Sequence, residues 1–200
     1  MKQVYQFKIM LLDIQPDIWR TIQVPENYNF WDLHVAIQDA MGWLDYHLHE
    51  FNFMKGKELI RIGMPDEEST GTSTLLGWEV NIKTYFEKVG TTARYSYDFG
   101  DGWEHFIELE TMLPANASIN YPICIAGERA CPPEDCGGVP GFEGLLETLQ
   151  RGKAGEKKEL NEWLKNHAQN YYPFQAEVFD PQAVKFDDPE LRWANAFSAK

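Results

Sequence analysis

β-Forming side chains crowd residues 4–12 (VYQFKIMLL) and 18–24 (IWRTIQV), and the polar triplet Gln15-Pro16-Asp17 separates them. Two such runs flanking a turn predict a hairpin. From Phe30 the pattern changes period. Phe30, Leu33, Ile37, Ala40 and Met41 recur at helical spacing, Asn29 stands where an N-cap belongs, and Gly42 ends the run. A ββα opening of this kind begins a roll or grasp-like arrangement, in which one face of a sheet packs on a helix.

Alternation returns at 46–53 (YHLHEFNF), which puts His47, His49, Phe51 and Phe53 on one strand face. Residues 59–63 (LIRIG) are placed to pair with it across the Lys55-Gly56-Lys57-Glu58 turn. The stretch 64–74 (MPDEESTGTST) has no apolar period and reads as a mobile acidic loop. A short amphipathic helix is expected over 82–89 (IKTYFEKV), stopped by Gly90. Strands follow at about 92–98 and 103–111. Residues 114–140, with five prolines, read as loop.

Past Pro140, Phe142, Leu145, Leu146 and Leu149 are spaced as one helix face, and Leu160, Trp163, Leu164 and His167 mark another. Asp180-Pro181 and Asp188-Pro189 each pair an N-cap with a proline in the first helical turn. The pattern therefore predicts one α+β domain over 1–200: a mixed sheet packed on helices. Its β-rich core covers about 1–112, a loop 113–140, and a mainly helical part 141–200.

Composition narrows the classes. Seven Trp, nine Tyr and twelve Phe in 200 residues, with 44% hydrophobic content, belong to an ordered chain with a sizeable core. No run approaches the roughly 18 apolar residues of a membrane helix, and the N-terminus does not read as a signal peptide, so a cytoplasmic setting is expected. Reduced thiols are the default there for Cys124, Cys131 and Cys136. A net charge of −13 repels phosphate backbones, and the densest basic run, 151–160 (RGKAGEKKEL), is interleaved with glutamate. Non-specific nucleic-acid binding is disfavoured; a protein or small-molecule partner is not.

Chemistry concentrates in two stretches. In 97–105 (YDFGDGWEH), Gly100-Asp101-Gly102 suits a tight hairpin turn. Beyond it Trp103, His105, Ile107 and Leu109 share one strand face. His105 thus projects among apolar neighbours, as His49 does beside Phe51 and Phe53. Each reads alone as a core-edge histidine bonded to a carbonyl or carboxylate. If their strands were neighbours, His47, His49 and His105 would converge, with Asp98 and Asp101 nearby, and could hold Zn²⁺ or Fe²⁺. The second stretch, 131–136 (CPPEDC), has a spacing at the long limit for a zinc half-site, with Cys124 as a further thiol. Alternatively it is a rigid loop whose Glu134 and Asp135 accept backbone hydrogen bonds. No phosphate-binding loop, dinucleotide fingerprint, HExxH or GxSxG motif occurs.

Three blocks, 16–51 (PDIWRTIQVPENYNFWDLHVAIQDAMGWLDYHLHEF), 95–105 (YSYDFGDGWEH) and 130–146 (ACPPEDCGGVPGFEGLL), resemble the Ri-plasmid ORF-three-like family, whose members include passenger proteins of insertion elements. The similarity spans roughly residues 4–190, with Phe142 where many members carry tyrosine. It implies an α+β fold and assigns no reaction. Some members carry a resolvase label, yet no activated nucleophile with an arginine cluster and DNA-binding module is recognisable here. It also implies that the three blocks assemble together, around His49, Asp98, Asp101, His105 and the 131–136 loop.

Three readings follow: a binding or interaction domain whose candidate pocket holds His47, His49, Asp98, Asp101, Trp103, His105, Glu134 and Asp135; a metal-dependent hydrolase with His47, His49 and His105 as ligands and Asp98, Asp101 or Glu134 as base; or a structural zinc protein. The candidate metal ligands across these readings include His49, His105, Cys124, Cys131 and Cys136, and zinc is the candidate cofactor.

Overall fold

The computed structural model describes residues 2–65, 74–167 and 170–197. The opening hairpin is β1 (Gln3–Leu11) and β2 (Ile18–Pro25), antiparallel from Leu11↔Ile18 to Val4↔Pro25. Helix α1 (Phe30–Met41) follows. Asn29 caps it by accepting from the Asp32 amide at 2.8 Å while its own N–H reaches the Asp32 carboxylate at 3.0 Å. Gly42 closes the helix at φ 84°, a conformation that disfavours any side chain with a Cβ.

Strands β3 (His49–Lys55) and β4 (Glu58–Gly63) form the expected second hairpin. The short β5 (Leu75–Leu76) pairs parallel with β4. β6 (Thr92–Tyr97) and β7 (Trp103–Pro114) make the third hairpin. Among the described residues the sheet has eight strands, in the order β5-β4-β3-β6-β7-β1-β2-β8. Strand parity selects the buried face. Phe7, Ile9 and Leu11 of β1 lie opposite Leu109, Ile107 and His105 of β7, and all six are buried. Phe30, Leu33 and Ile37 of α1 complete that core.

Two local expectations are corrected. The helix expected over 82–89 shrinks to a single 3-10 turn, Ile82–Thr84. Phe86 beyond it is pinned edge-on to Phe7 at 4.7 Å, and Gly90 donates to the Leu109 carbonyl, so sheet pairing captures the segment before a helix can extend. The region 114–140 also contains a strand, β8 (Ile123–Glu128), paired with β2 at the sheet edge. An edge strand half-buried on both faces needs no apolar alternation, so its pattern is mute. The 64–74 loop lies, over 66–73, outside the described residues.

The C-terminal third is mainly helical, as its periodicity predicts: α2 (Gly138–Arg151), α3 (Ala154–Asn166) and α4 (Pro189–Phe197). Phe142, Leu145 and Leu164 are the side chains these helices bury. Asp180 and Asp188 cap their proline-led turns, each accepting at 2.9 Å from the amide two residues on. α4 is fastened to α1 by the Trp31 indole N–H donating to the Pro189 carbonyl at 3.0 Å, and by Arg192 pairing with Asp39. Among the described residues, no helix is long and apolar enough to cross a membrane.

Candidate histidine–carboxylate site

The β6–β7 turn is built from its own polar groups. Asp98, at φ 53°, accepts on one carboxylate oxygen from the amides of Gly100 and Asp101 at 2.9 and 3.2 Å. Gly102 returns the chain at φ 69° with its amide on the Asp98 carbonyl. Asp101 then accepts from the Gly137 amide at 3.1 Å, which docks the hairpin on the 131–136 loop. That approach leaves no space for a side chain: a Cβ on Gly138 would lie 2.4 Å from the Asp101 carbonyl oxygen. On the other side of the loop Glu134 is fully buried, and one of its oxygens accepts from the Leu44 amide (2.7 Å) and the Tyr97 hydroxyl (3.0 Å). Burial raises its carboxyl pKa, and those two bonds oppose the rise. Trp43 donates to the Pro132 carbonyl at 2.9 Å, and Trp103 lies buried beside it. The segment after α1, the hairpin and the loop therefore do meet.

The cysteines do not form a centre. Cys131 is buried between the Arg20 guanidinium (3.3 Å) and the Met41 sulfur (3.1 Å). Cys124 contacts the Ala126 carbonyl, and burial pushes the Cys136 thiol up to about 12. All three are free thiols, and among the described residues no cysteine joins a group of three or more possible metal ligands.

His105 is also set apart. It is 0% exposed, with Nδ1 3.2 Å from the Tyr95 carbonyl oxygen and its ring edge-on to Trp43. Burial lowers its pKa to about 3, which keeps it neutral. It cannot meet His49 because β6 lies between β3 and β7. His49 pairs with Tyr97, Tyr97 with Trp103, and His105 belongs to the next row, opposite Tyr95. Two strand spacings of about 4.8 Å therefore separate the histidine-bearing strands.

The partner His49 does have comes from α1. His34 is fully buried, and its ring stacks on that of His49 with centroids 3.4 Å apart and planes 10° from parallel. His34 Nδ1 lies 2.8 Å from the Tyr95 hydroxyl and Nε2 2.6 Å from an Asp45 oxygen. Gln38 donates to the same hydroxyl at 2.9 Å. A phenol oxygen both donates and accepts, so the Tyr95 hydroxyl can give its proton to Nδ1 when Nε2–H faces Asp45, or accept the Nδ1 proton when Nε2 is free to bind a metal. Asp45 is held at φ 60°, an uncommon backbone for a residue with a Cβ. His34, Asp45 and His49 each offer a ligand atom within 4.8 Å of the others.

His49 itself is 2% exposed; its carbonyl accepts from the Met64 amide at 3.2 Å, but its imidazole makes no hydrogen bond with any described residue. Burial and the nearby His34 lower its pKa well below the ordinary histidine range. It lines a cavity of about 420 Å³ together with Asp45, His47, Trp31, Leu48 and Phe197. At the rim His47 Nε2 is 3.1 Å from Asp135 and 3.5 Å from Asp98, a second group with ligand spacing. Of the expected residues, His47, His49, Asp98 and Asp135 thus come to two adjoining clusters. Asp101, Trp103, Glu134 and His105 belong to the hairpin–loop junction and the core, where Trp103 Nε1, Glu134 Oε2 and His105 Nε2 are buried without a hydrogen-bond partner among the described residues. His34 and Asp45 were absent from the expectation. The available signal was His34 falling inside the apolar stripe of α1, four residues after Phe30 and three before Ile37.

The larger cavity, about 700 Å³, includes Arg20, but that side chain has no donor to spare. Its guanidinium donates to the carbonyls of Trp19, Ala40, Glu128 and Arg129 and to the Cys131 sulfur, under the ring of Phe179.

Residues 3–187 match the family model described as plasmid pRiA4b ORF-3-like protein. The chain is 32% identical over 192 residues to the uncharacterized protein y4hQ of Sinorhizobium fredii, covering 96% of this chain and 94% of that one. It is also similar to the crystal structure of a protein of unknown function, MM3350, from Methanosarcina mazei Go1. That match has 42% identity and a TM-score of 0.79, over 93% of this chain and 99% of the other.

Proposed function

The chain belongs to the plasmid pRiA4b ORF-3-like family, and we propose that it is a binding domain whose working centre is a divalent transition-metal site formed by His34, Asp45 and His49. The observation that carries this is His49: a buried imidazole with no hydrogen-bond partner among the described residues, stacked on a second imidazole and facing a cavity. Because the ring lines that cavity, a metal ion can reach its nitrogens from the open side. Two imidazoles and one carboxylate suit zinc or ferrous iron and leave positions open for a ligand. The outer layer supports the same reading. The Tyr95 hydroxyl, itself held by Gln38, bonds the far nitrogen of His34, as outer partners of ligating histidines commonly do. The domain would work as a single unit in the cytoplasm, a setting that suits three free thiols.

A second reading, metal-assisted hydrolysis, draws support from His47, which lines the same cavity with Asp98 and Asp135 at its ring. There His47 would take the proton of a metal-bound water.

Equilibrium dialysis of metal-stripped protein against Zn²⁺, followed by elemental analysis, tests the centre. The expected result is about one equivalent per chain, with affinity reduced roughly 100-fold by His49→Ala or Asp45→Asn and unchanged by His105→Ala. Uptake that depends on Asp135 and not on His49 would move the site to the rim. No uptake by folded protein would end the proposal.

A further inference from the structure

The cavity above the His34–His49 stack has walls of one chemistry and a floor of another, and together they define a ligand. We infer that it takes a small molecule with a flat apolar body and a single neutral or singly charged oxygen or nitrogen head, the head on the metal and the body between Trp31, Leu48 and Phe197. The inference rests on the metal reading above and adds the class of ligand to it.

The walls come first. Trp31, Leu48, Met64, Pro65, Ala196 and Phe197 line the cavity, and among the described residues its polar lining residues are Asp45, His47 and His49. Leu48 and Phe197 are 38% and 45% exposed, so the mouth displays apolar surface next to a polar floor. Trp31 offers an aromatic surface, since its own indole N–H is spent on Pro189. It meets Phe197 at 67° with centroids 6.1 Å apart, an edge-to-face corner that fits an aromatic ring.

Charge comes next. A divalent ion with the Asp45 carboxylate leaves the floor at one net positive charge, which one monoanionic head neutralises. A phosphate needs more. Among the described residues, no lysine or arginine lines the cavity; Arg192, 4.0 Å from Asp45, already pairs with Asp39 and Asp187. At the rim His47 faces two carboxylates, Asp98 and Asp135, which repel a polyanion. A cavity of 420 Å³ is the size of a small-molecule site.

The test uses the full chain loaded with Co²⁺, whose visible bands report ligands entering the metal's coordination sphere. Benzohydroxamate, acetohydroxamate and inorganic phosphate are titrated separately. The first two share a head and differ only in the ring. Burying that ring predicts that benzohydroxamate binds at least about 10-fold tighter than acetohydroxamate, with phosphate weakest. Leu48→Ser and Phe197→Ser should shrink the gap between the two hydroxamates without altering cobalt uptake. Equal binding of the two, tighter binding of phosphate, or a gap that survives both substitutions would overturn the ligand class and leave the metal centre standing. Cobalt bands that respond to none of the three would do the same. A folded protein that takes up no cobalt overturns both.

Discussion

Two neighbouring regions of this molecule are rich in the same residue types and use them in opposite ways. In the β6–β7 hairpin, Asp98 and Asp101 accept backbone amides and His105 lies against a backbone carbonyl. These polar groups hold chain segments together. At the floor of the neighbouring cavity, the His49 ring stacks on His34 among Trp31, Phe51 and Tyr95 and turns toward open space. The contrast is one of access: Trp103 Nε1, His105 Nε2 and Glu134 Oε2 are sealed in the interior without a partner among the described residues, whereas His49 and Asp45 line a cavity that a ligand can enter. By that standard the conspicuous motif is architecture, and the inconspicuous pair is the candidate site.

The comparison breaks most visibly at Gly138. If the hairpin–loop contact is structural, Gly138→Ala must force a Cβ against the Asp101 carbonyl at a backbone φ of 65°. A loss of about 3 kcal/mol is expected in urea unfolding. A change below about 0.5 kcal/mol would mean the contact is slack.

Tyr95→Phe tests the other side. It removes the hydroxyl that fixes His34 Nδ1 and should weaken metal affinity about 10- to 100-fold at constant stoichiometry. Unchanged affinity in isothermal titration would separate Tyr95 from the centre.

His105 sharpens the contrast through pH. It is neutral when folded, with a pKa lowered to about 3, whereas in the unfolded chain it protonates near 6.5. The unfolded state therefore binds more protons between those values. Stability from this residue is complete above about pH 6.5 and declines as pH falls, by up to roughly 1.4 kcal/mol per pH unit. His105→Phe should flatten the unfolding free-energy slope between pH 4 and 6 by one proton. An unaltered slope would show that His105 already protonates in the fold.

Much of the architecture was legible because it rests on local periodicity. The parity of β7 places Trp103, His105, Ile107 and Leu109 on the core face, and all four are buried. The Asn29 cap, the Gly42 stop and the Asp-Pro starts of the C-terminal turns are local chemistry and were equally plain. β8 was not, because an edge strand half-buried on both faces carries no alternation. The site was half legible. Strand alternation marks His49 as inward-facing but is blind to strand order, so it could not know that β6 separates His49 from His105. Nor could it supply His34, which reaches His49 only because α1 lies across that part of the sheet.

The sequence by itself determined which face of each strand and helix turns inward, since side-chain direction follows from backbone period. It also determined family membership, through residues spaced along nearly the whole chain. Only the tertiary structure decided which inward-facing histidines meet. That depends on strand order and on where a helix crosses the sheet, and both are set by packing between segments far apart in the chain.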